Sequence, residues 1–172
     1  MRVYITGFMG SGKSYWGSKW AQHYKIPFID LDKQIETKEG ITIDELFEKR
    51  GESYFRQLEA ATLRSTIDIE HAFIACGGGT PCYENNMDWM IANGGTVFIE
   101  AAPEVLMNNI MDEMIQRPLI KHLNADKLLP FIKEKLAERN SYYYRAKQII
   151  PFSELSDYSL DNLFLKLNND HA

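Results

Sequence analysis

The 172-residue sequence predicts an α/β fold in three layers, α/β/α, with a mainly parallel five-stranded sheet in the middle. Three observations carry this expectation. Short apolar runs recur at residues 2–6, 27–29, 72–76, 96–99 and 148–152, each of strand length. Helical patterns lie between them, which is the signature of parallel strands joined by crossovers. The first three runs end in glycines or charged residues, as expected where the carboxyl ends of parallel strands meet a ligand.

Each element follows in order. Residues 2–6 read as a buried strand running into a glycine turn. Lys13–Tyr24 reads as a helix with Trp16, Trp20 and Tyr24 at i, i+4 and i+8, a stripe expected to pack on the sheet. Pro27-Phe28-Ile29 forms the second strand and ends at Asp30-Leu31-Asp32, read as extended, so that both aspartates point to one side. Thr42 and Glu45 have capping-box spacing. A long helix is expected over residues 52–69 with Phe55, Leu58, Ala61 and Leu63 on it. The strand at 72–76 stops at Gly77-Gly78-Gly79, and the strand at 96–99 precedes a helix opened by Pro103. Residues 126–144 read as helix, 148–152 as the last strand, and 157–167 as a C-terminal helix. No repeat or linker interrupts this order, so one domain, residues 1–172, is expected.

Composition narrows the function classes. Lys and Arg number 19 against 24 Asp and Glu, for a net charge of −5. Such a chain is a poor general binder of nucleic acid or of an anionic membrane, and an anionic ligand would need cations gathered locally. Cys76 and Cys82 supply neither a disulfide framework nor a zinc site. The chain lacks a leader-like start and a span of about 20 apolar residues, so a soluble cytoplasmic protein is expected.

The segment "GFMGSGKS", Gly7 to Ser14, satisfies G-x-x-x-x-G-K-[ST] between a predicted strand and a predicted helix. Glycines let backbone N–H groups turn inward around an anion, and the following helix aims its positive end at the same point. Lys13 reaches β- and γ-phosphates, and the Ser14 hydroxyl suits Mg²⁺. The expected ligand is ATP with Mg²⁺. A G-x-G-x-x-G fingerprint is excluded, because Tyr15 stands at its sixth position.

A phosphoryl acceptor requires a carboxylate for its hydroxyl, contacts for its remaining groups and a cationic cover. Asp30 and Asp32 follow the second strand, and helix capping by one of them is the competing explanation. Arg56 alone reads as a solvated helix charge, and Arg139 alone says little. Three successive glycines after a buried strand suggest close approach of a ligand to the backbone. Arg117-Pro118-Leu119-Ile120 follows a helix in a polar stretch suited to a lid.

Together "GFMGSGKS", "FIDLDKQIE", "GESYFRQLE", "CGGGTP", "RPLI" and "ERNSYYYRA" resemble the shikimate kinases, in family order from Val3 to about Phe152. The resemblance implies a P-loop kinase fold with a shikimate-binding segment at about 32–60 and a mobile lid at about 110–124. It implies ATP-dependent phosphorylation of the 3-hydroxyl of shikimate, in aromatic amino acid and chorismate biosynthesis. It implies that Gly10, Ser11, Gly12, Lys13, Ser14, Tyr15 and Arg117 contact ATP, and that Ser14 and Asp30 serve Mg²⁺. Asp32 matches the acid that binds the ring hydroxyls and is the candidate base. Arg56 and Arg139 match the carboxylate clamp, for which a planar guanidinium is suited. Gly78 and Gly79 match backbone contacts to the ring, and Lys13, Asp32 and Arg117 are the implied catalytic residues. The expected partners are shikimate and ATP, with the chain a monomer.

The sequence departs from the family on the adenine side. Tyr15 replaces the usual Thr, no arginine stands in Met107-Asn108-Asn109-Ile110, and Phe152 to Ser156 is unlike the common pattern. A kinase of another polyol acid, such as gluconate, and a non-catalytic nucleotide-binding module are the competing functions.

Overall fold

In a computed structural model, which describes residues 1–113 and 125–161, the layering follows from alternation along the first strand. In β1 (Arg2–Thr6), Val3 and Ile5 enter one core with Trp20 and Ala21, while Tyr4 enters another with Leu63, Met87 and Met90. Successive side chains of a strand point to opposite faces, so burial of both faces requires helices on both sides. The other strands are β2 (Phe28–Asp30), β3 (Ala72–Ala75), β4 (Gly95–Glu100) and β5 (Gln148–Pro151). They pair in the order β2-β3-β1-β4-β5, and every pairing is parallel.

The first helix, α1 (Lys13–Tyr24), covers one face. Trp20 is fully buried there, and Trp16 and Tyr24 pack against the same cluster, so the aromatic stripe is core. On the opposite face α5 (Pro103–Glu113) and α6 (Ala125–Tyr143) enclose Phe8, Phe98, Leu106, Ile110, Ile132 and Tyr143. Among the described residues no helix is long and apolar enough to cross a membrane.

Several local expectations need correction. Asp30-Leu31-Asp32 is not extended: α2 (Leu31–Glu39) starts there, with Asp30 as its cap, its side chain accepting from Lys33 N. The aspartates therefore do not share a side by strand alternation. The signals for this helix were present, namely a capping Asp, the buried pair Leu31 and Ile35, and Gly40 as a left-handed stop. Second, the capping box at Thr42 and Glu45 is formed, but its helix continues into the long one as α3 (Ile43–Ser65), broken at Gly51 (φ 80, ψ 167). Third, the helical part ends at Ser65, and Thr66–Asp68 is a 3-10 turn. Fourth, α4 (Asn86–Asn93) was not foreseen. At the last strand, Phe152–Glu154 forms a 3-10 turn. The helix expected at 157–167 lies mostly outside the described residues.

The α2–α3 pair has its own small core of Ile35, Leu46 and Phe55. This satellite stands beside the carboxyl end of β2, where it carries Asp32 on one helix and Arg56 on the other.

Candidate active site

The loop between β1 and α1 folds around its own backbone. Gly10 and Gly12 take left-handed φ values of 76 and 83, which only glycine adopts without strain. Ser11 N donates to Phe8 O at 3.2 Å, and Lys13 Nζ donates to the same carbonyl at 2.8 Å. The loop is also held from outside. Asn109 on α5 donates from Nδ2 to Gly10 O at 2.8 Å, and a Cβ on Gly10 would lie 2.9 Å from Ile110 Cγ1. The stretch 107–110 carries no arginine, and its Asn109 fastens the loop to the helix covering the sheet.

Ser14 and Asp30 meet, although 16 residues separate them. Ser14 Oγ donates to Asp30 Oδ2 at 2.6 Å, while Asp30 Oδ1 accepts from Lys33 N at 3.2 Å. One carboxylate thus caps a helix, as the competing explanation has it, and also faces the loop hydroxyl. Tyr15 turns outward instead. Its side chain is 60% exposed, edge-on to Trp16 at 5.5 Å, with Lys19 Nζ 5.4 Å from its ring.

The three glycines after β3 explain the rest of the cleft, because each abuts a different charged group. A Cβ on Gly77 would lie 2.5 Å from Glu59 Oε1 and 3.2 Å from Asp32 Oδ1. On Gly78 it would lie 3.4 Å from Arg139 Nη1, 3.5 Å from Met9 N and 3.6 Å from Gly7 O. On Gly79 it would lie 2.5 Å from Arg56 Nη2. Adjacent Cα atoms are about 3.8 Å apart, so the two guanidiniums stand at neighbouring positions along one strand end. Tyr143, fully buried, donates to Gly78 O at 2.5 Å, fixing the middle of the run.

Glu59 is the residue that sequence reading passed over. It is fully buried, accepts from Arg56 Nη1 at 2.9 Å and from Thr80 Oγ1 at 2.5 Å. Its signal was the i, i+3 spacing from Arg56 within "FRQLE". Arg56 is consequently far from a solvated charge: its side chain is 17% exposed and paired with Glu59 and, at 3.3 Å, with Glu52.

Asp32 sits at the centre. Its Oδ1 is buried with no hydrogen-bond partner among the described residues. Burial, then the neighbouring Glu59 and Asp30 carboxylates, push its carboxyl up to about 6, against a smaller pull from Lys13. Cys82 nearby is pushed up to about 11, chiefly by burial, and both cysteines are free thiols. Arg117 lies outside the described residues. A cavity of about 690 Å³ opens beside the ends of β4 and β5, lined by Phe98, Tyr144, Pro151 and Phe152 among others.

An α/β sheet with an anion cradle after β1, beside a glycine run, Gly77 to Gly79, that abuts carboxylates at its first residue and one guanidinium at each of the next two, defines a P-loop kinase of small molecules. The family model for shikimate kinase matches residues 9–165. A shikimate kinase of Bacteroides fragilis is 40% identical over 159 residues, covering 92% of this chain and 89% of its own. The crystal structure of the shikimate kinase of Bacteroides thetaiotaomicron superposes with a TM-score of 0.87 at 36% identity, covering 98% of this chain and 97% of its own. The Acinetobacter baumannii shikimate kinase in complex with shikimate gives 0.81 at 29% identity, over 98% and 93% of the two chains. The chain belongs to the shikimate kinase family.

Proposed function

We propose that this chain transfers the γ-phosphoryl group of ATP to the 3-hydroxyl of shikimate, giving shikimate 3-phosphate and ADP. The contact of Gly78 with both the loop (Met9 N, Gly7 O) and Arg139 carries this reading, because it makes donor cradle and acceptor clamp one continuous surface. A direct, in-line transfer needs this adjacency and little else from the protein than positioning and charge.

The roles follow. The backbone of Gly10, Ser11, Gly12, Lys13, Ser14 and Tyr15 cradles phosphate, with the Lys13 ammonium on the transferred group. Ser14 Oγ and Asp30 Oδ2, already 2.6 Å apart, form an all-oxygen pair that fits Mg²⁺, directly or through water. Bound there, the ion would neutralise charge on the β- and γ-phosphates. Arg56 and Arg139 hold the substrate carboxylate, and the backbone of Gly78 and Gly79 lies against the ring. Asp32 Oδ1, buried and unpaired, accepts from the hydroxyl that attacks. Arg117 closes over the phosphates from a lid at about 110–124. Residues 32–60 form the acceptor-binding segment of a single domain, 1–172, acting as a monomer in the cytoplasm.

An ADP-release assay with ATP and Mg²⁺ tests the function against shikimate, quinate and gluconate. Turnover with shikimate is expected; equal turnover with gluconate, or none with shikimate, overturns the reading. Asp32 also sets a pH dependence. With its carboxyl near 6 it is protonated, and useless as a base, below that pH. The kcat/KM for shikimate should therefore rise with pH through about 6 and level off above it. A profile flat from pH 5 to 7 would remove Asp32 as the base.

Tyr15 should matter through its backbone only. An exposed side chain away from buried groups contributes within about 0.5 kcal/mol, or roughly a factor of two. The Tyr15→Ala variant is expected to keep its ATP KM within about twofold of wild type. A tenfold rise, on the order of 1.4 kcal/mol, would show the ring contacting the nucleotide.

A further inference from the structure

Thr80 follows the glycine run on the 3-10 turn Thr80–Cys82 and is fully buried. Its hydroxyl donates to Glu59 Oε1 at 2.5 Å, while Glu59 Oε2 accepts from Arg56 Nη1 at 2.9 Å. A carboxylate with no exposure needs partners on both oxygens. Arg56 satisfies one, and Thr80 satisfies the other.

The two partners differ in kind. Arg56 is three residues from Glu59 on α3, so that pair could turn as a unit without losing its own bond. Thr80 comes from a different element, 21 residues further along, and ties the pair to the end of β3. Thr80 is itself held twice. Asn86 Nδ2 donates to Thr80 O at 2.8 Å, and Thr80 N donates to Gly77 O at 3.1 Å. The Arg56 guanidinium then passes so close to Gly79 that a Cβ there would lie 2.5 to 2.7 Å from three of its atoms. Such a passage tolerates little rotation of the side chain.

We propose that Thr80 is a positioning residue for recognition of the substrate carboxylate. Its hydroxyl fixes the orientation of Glu59, and Glu59 aims the Arg56 guanidinium across Gly79 into the cleft. The inference rests on the assignment of Arg56 to the shikimate carboxylate made above. Thr80 touches no substrate; it acts through Glu59. Without the hydroxyl the Glu59 Oε1 atom is buried and unpaired, and Arg56 follows whatever new orientation that carboxylate finds.

Steady-state kinetics of the purified full chain test this, with wild type, Thr80→Val, Thr80→Ala and Thr80→Ser compared. Valine keeps the shape and loses the donor; serine keeps the donor. For Thr80→Val the shikimate KM should rise about tenfold, the scale of one lost hydrogen bond to a charged group. The ATP KM should stay within about twofold of wild type, kcat should change less than KM, and Thr80→Ser should restore the shikimate KM. If the valine variant does not fold, Thr80→Ala is read the same way. An unchanged shikimate KM in either folded variant overturns the proposal. So does a parallel loss in both KM values that serine does not rescue, which is the mark of a merely structural role. A wild type without shikimate-dependent ADP release overturns the functional reading and this one with it. An active wild type beside an indifferent Thr80→Val overturns this one alone.

Discussion

The Asp32→Asn variant should lose roughly a hundred- to ten-thousandfold in kcat, the usual contribution of a positioned general acid or base. Asparagine keeps the shape and keeps an oxygen that can accept a hydrogen bond, so binding of shikimate should suffer less than turnover. The loss should not come from unfolding. In the wild type Asp32 lies beside Glu59 and Asp30 with its Oδ1 buried, and its carboxyl is raised from 3.8 to about 6. Between those two pH values the folded chain holds a proton that the unfolded chain has released. The stability this gives is fully present below about 3.8 and is lost as pH rises through about 6. At pH 7 the wild type therefore carries an ionised carboxylate where its surroundings disfavour one, and an amide carries no such penalty. The Asp32→Asn variant should melt no lower than wild type at pH 7, with its relative advantage smaller at pH 4. Near-normal turnover would remove Asp32 from the chemistry. A much lower melting temperature at pH 7 would show that its main role is structural.

Arg56→Ala should damage stability and binding together. The pair with exposed Glu52 adds little, since such surface pairs contribute about 0–1 kcal/mol. Glu59 is different: it is 0% exposed, and the substitution strands its charge. Removing one partner of a buried pair costs roughly 3–5 kcal/mol. For a chain of this size that corresponds to a melting temperature lower by about 10 °C. The shikimate KM, measured well below the melt, should rise roughly 30-fold or more, as for truncation of a buried charge pair at an interface. The ATP KM should hold, because the loop is built from β1, α1 and α5. An Arg56→Lys variant should recover part of the stability and little of the affinity, because an ammonium restores charge without the planar fork. An unchanged melting temperature for Arg56→Ala would contradict the placement of Glu59's charge. An unchanged shikimate KM would free Arg56 from the substrate clamp.

These two residues also show how far sequence reading reached. Both are candidates from their place in the chain, their roles follow from motif resemblance, and neither can be weighed from its own surroundings. Arg56 on a helix reads as solvated until Glu59 and Gly79 are seen to close around it. Asp30 and Asp32 were placed side by side on an extended chain, yet a helix starts between them. That error has a physical cause: three residues can be extended or helical, and the capping bond from Lys33 N to Asp30 decides. The missed α4 has a similar cause, since eight residues carry too little periodicity to stand out.

What the sequence determined by itself was local. The phosphate loop is legible because its spacing is its mechanism: glycines, lysine and hydroxyl lie within eight residues, and the backbone between them leaves few geometries. The apolar strands and the stripe of Trp16, Trp20 and Tyr24 are legible for the same reason, since burial writes a short period into neighbouring positions. Only the tertiary structure brought together the residues proposed for the acceptor side. Asp32, Glu59, Gly77, Thr80 and Arg139 span more than 100 residues, and no periodicity relates them. They meet because β3 lies between β2 and β1, which sets the glycine run between α2 and α3 on one side and the phosphate loop on the other. The order of strands in a sheet is a property of long-range packing, and that order made one cleft out of five distant segments.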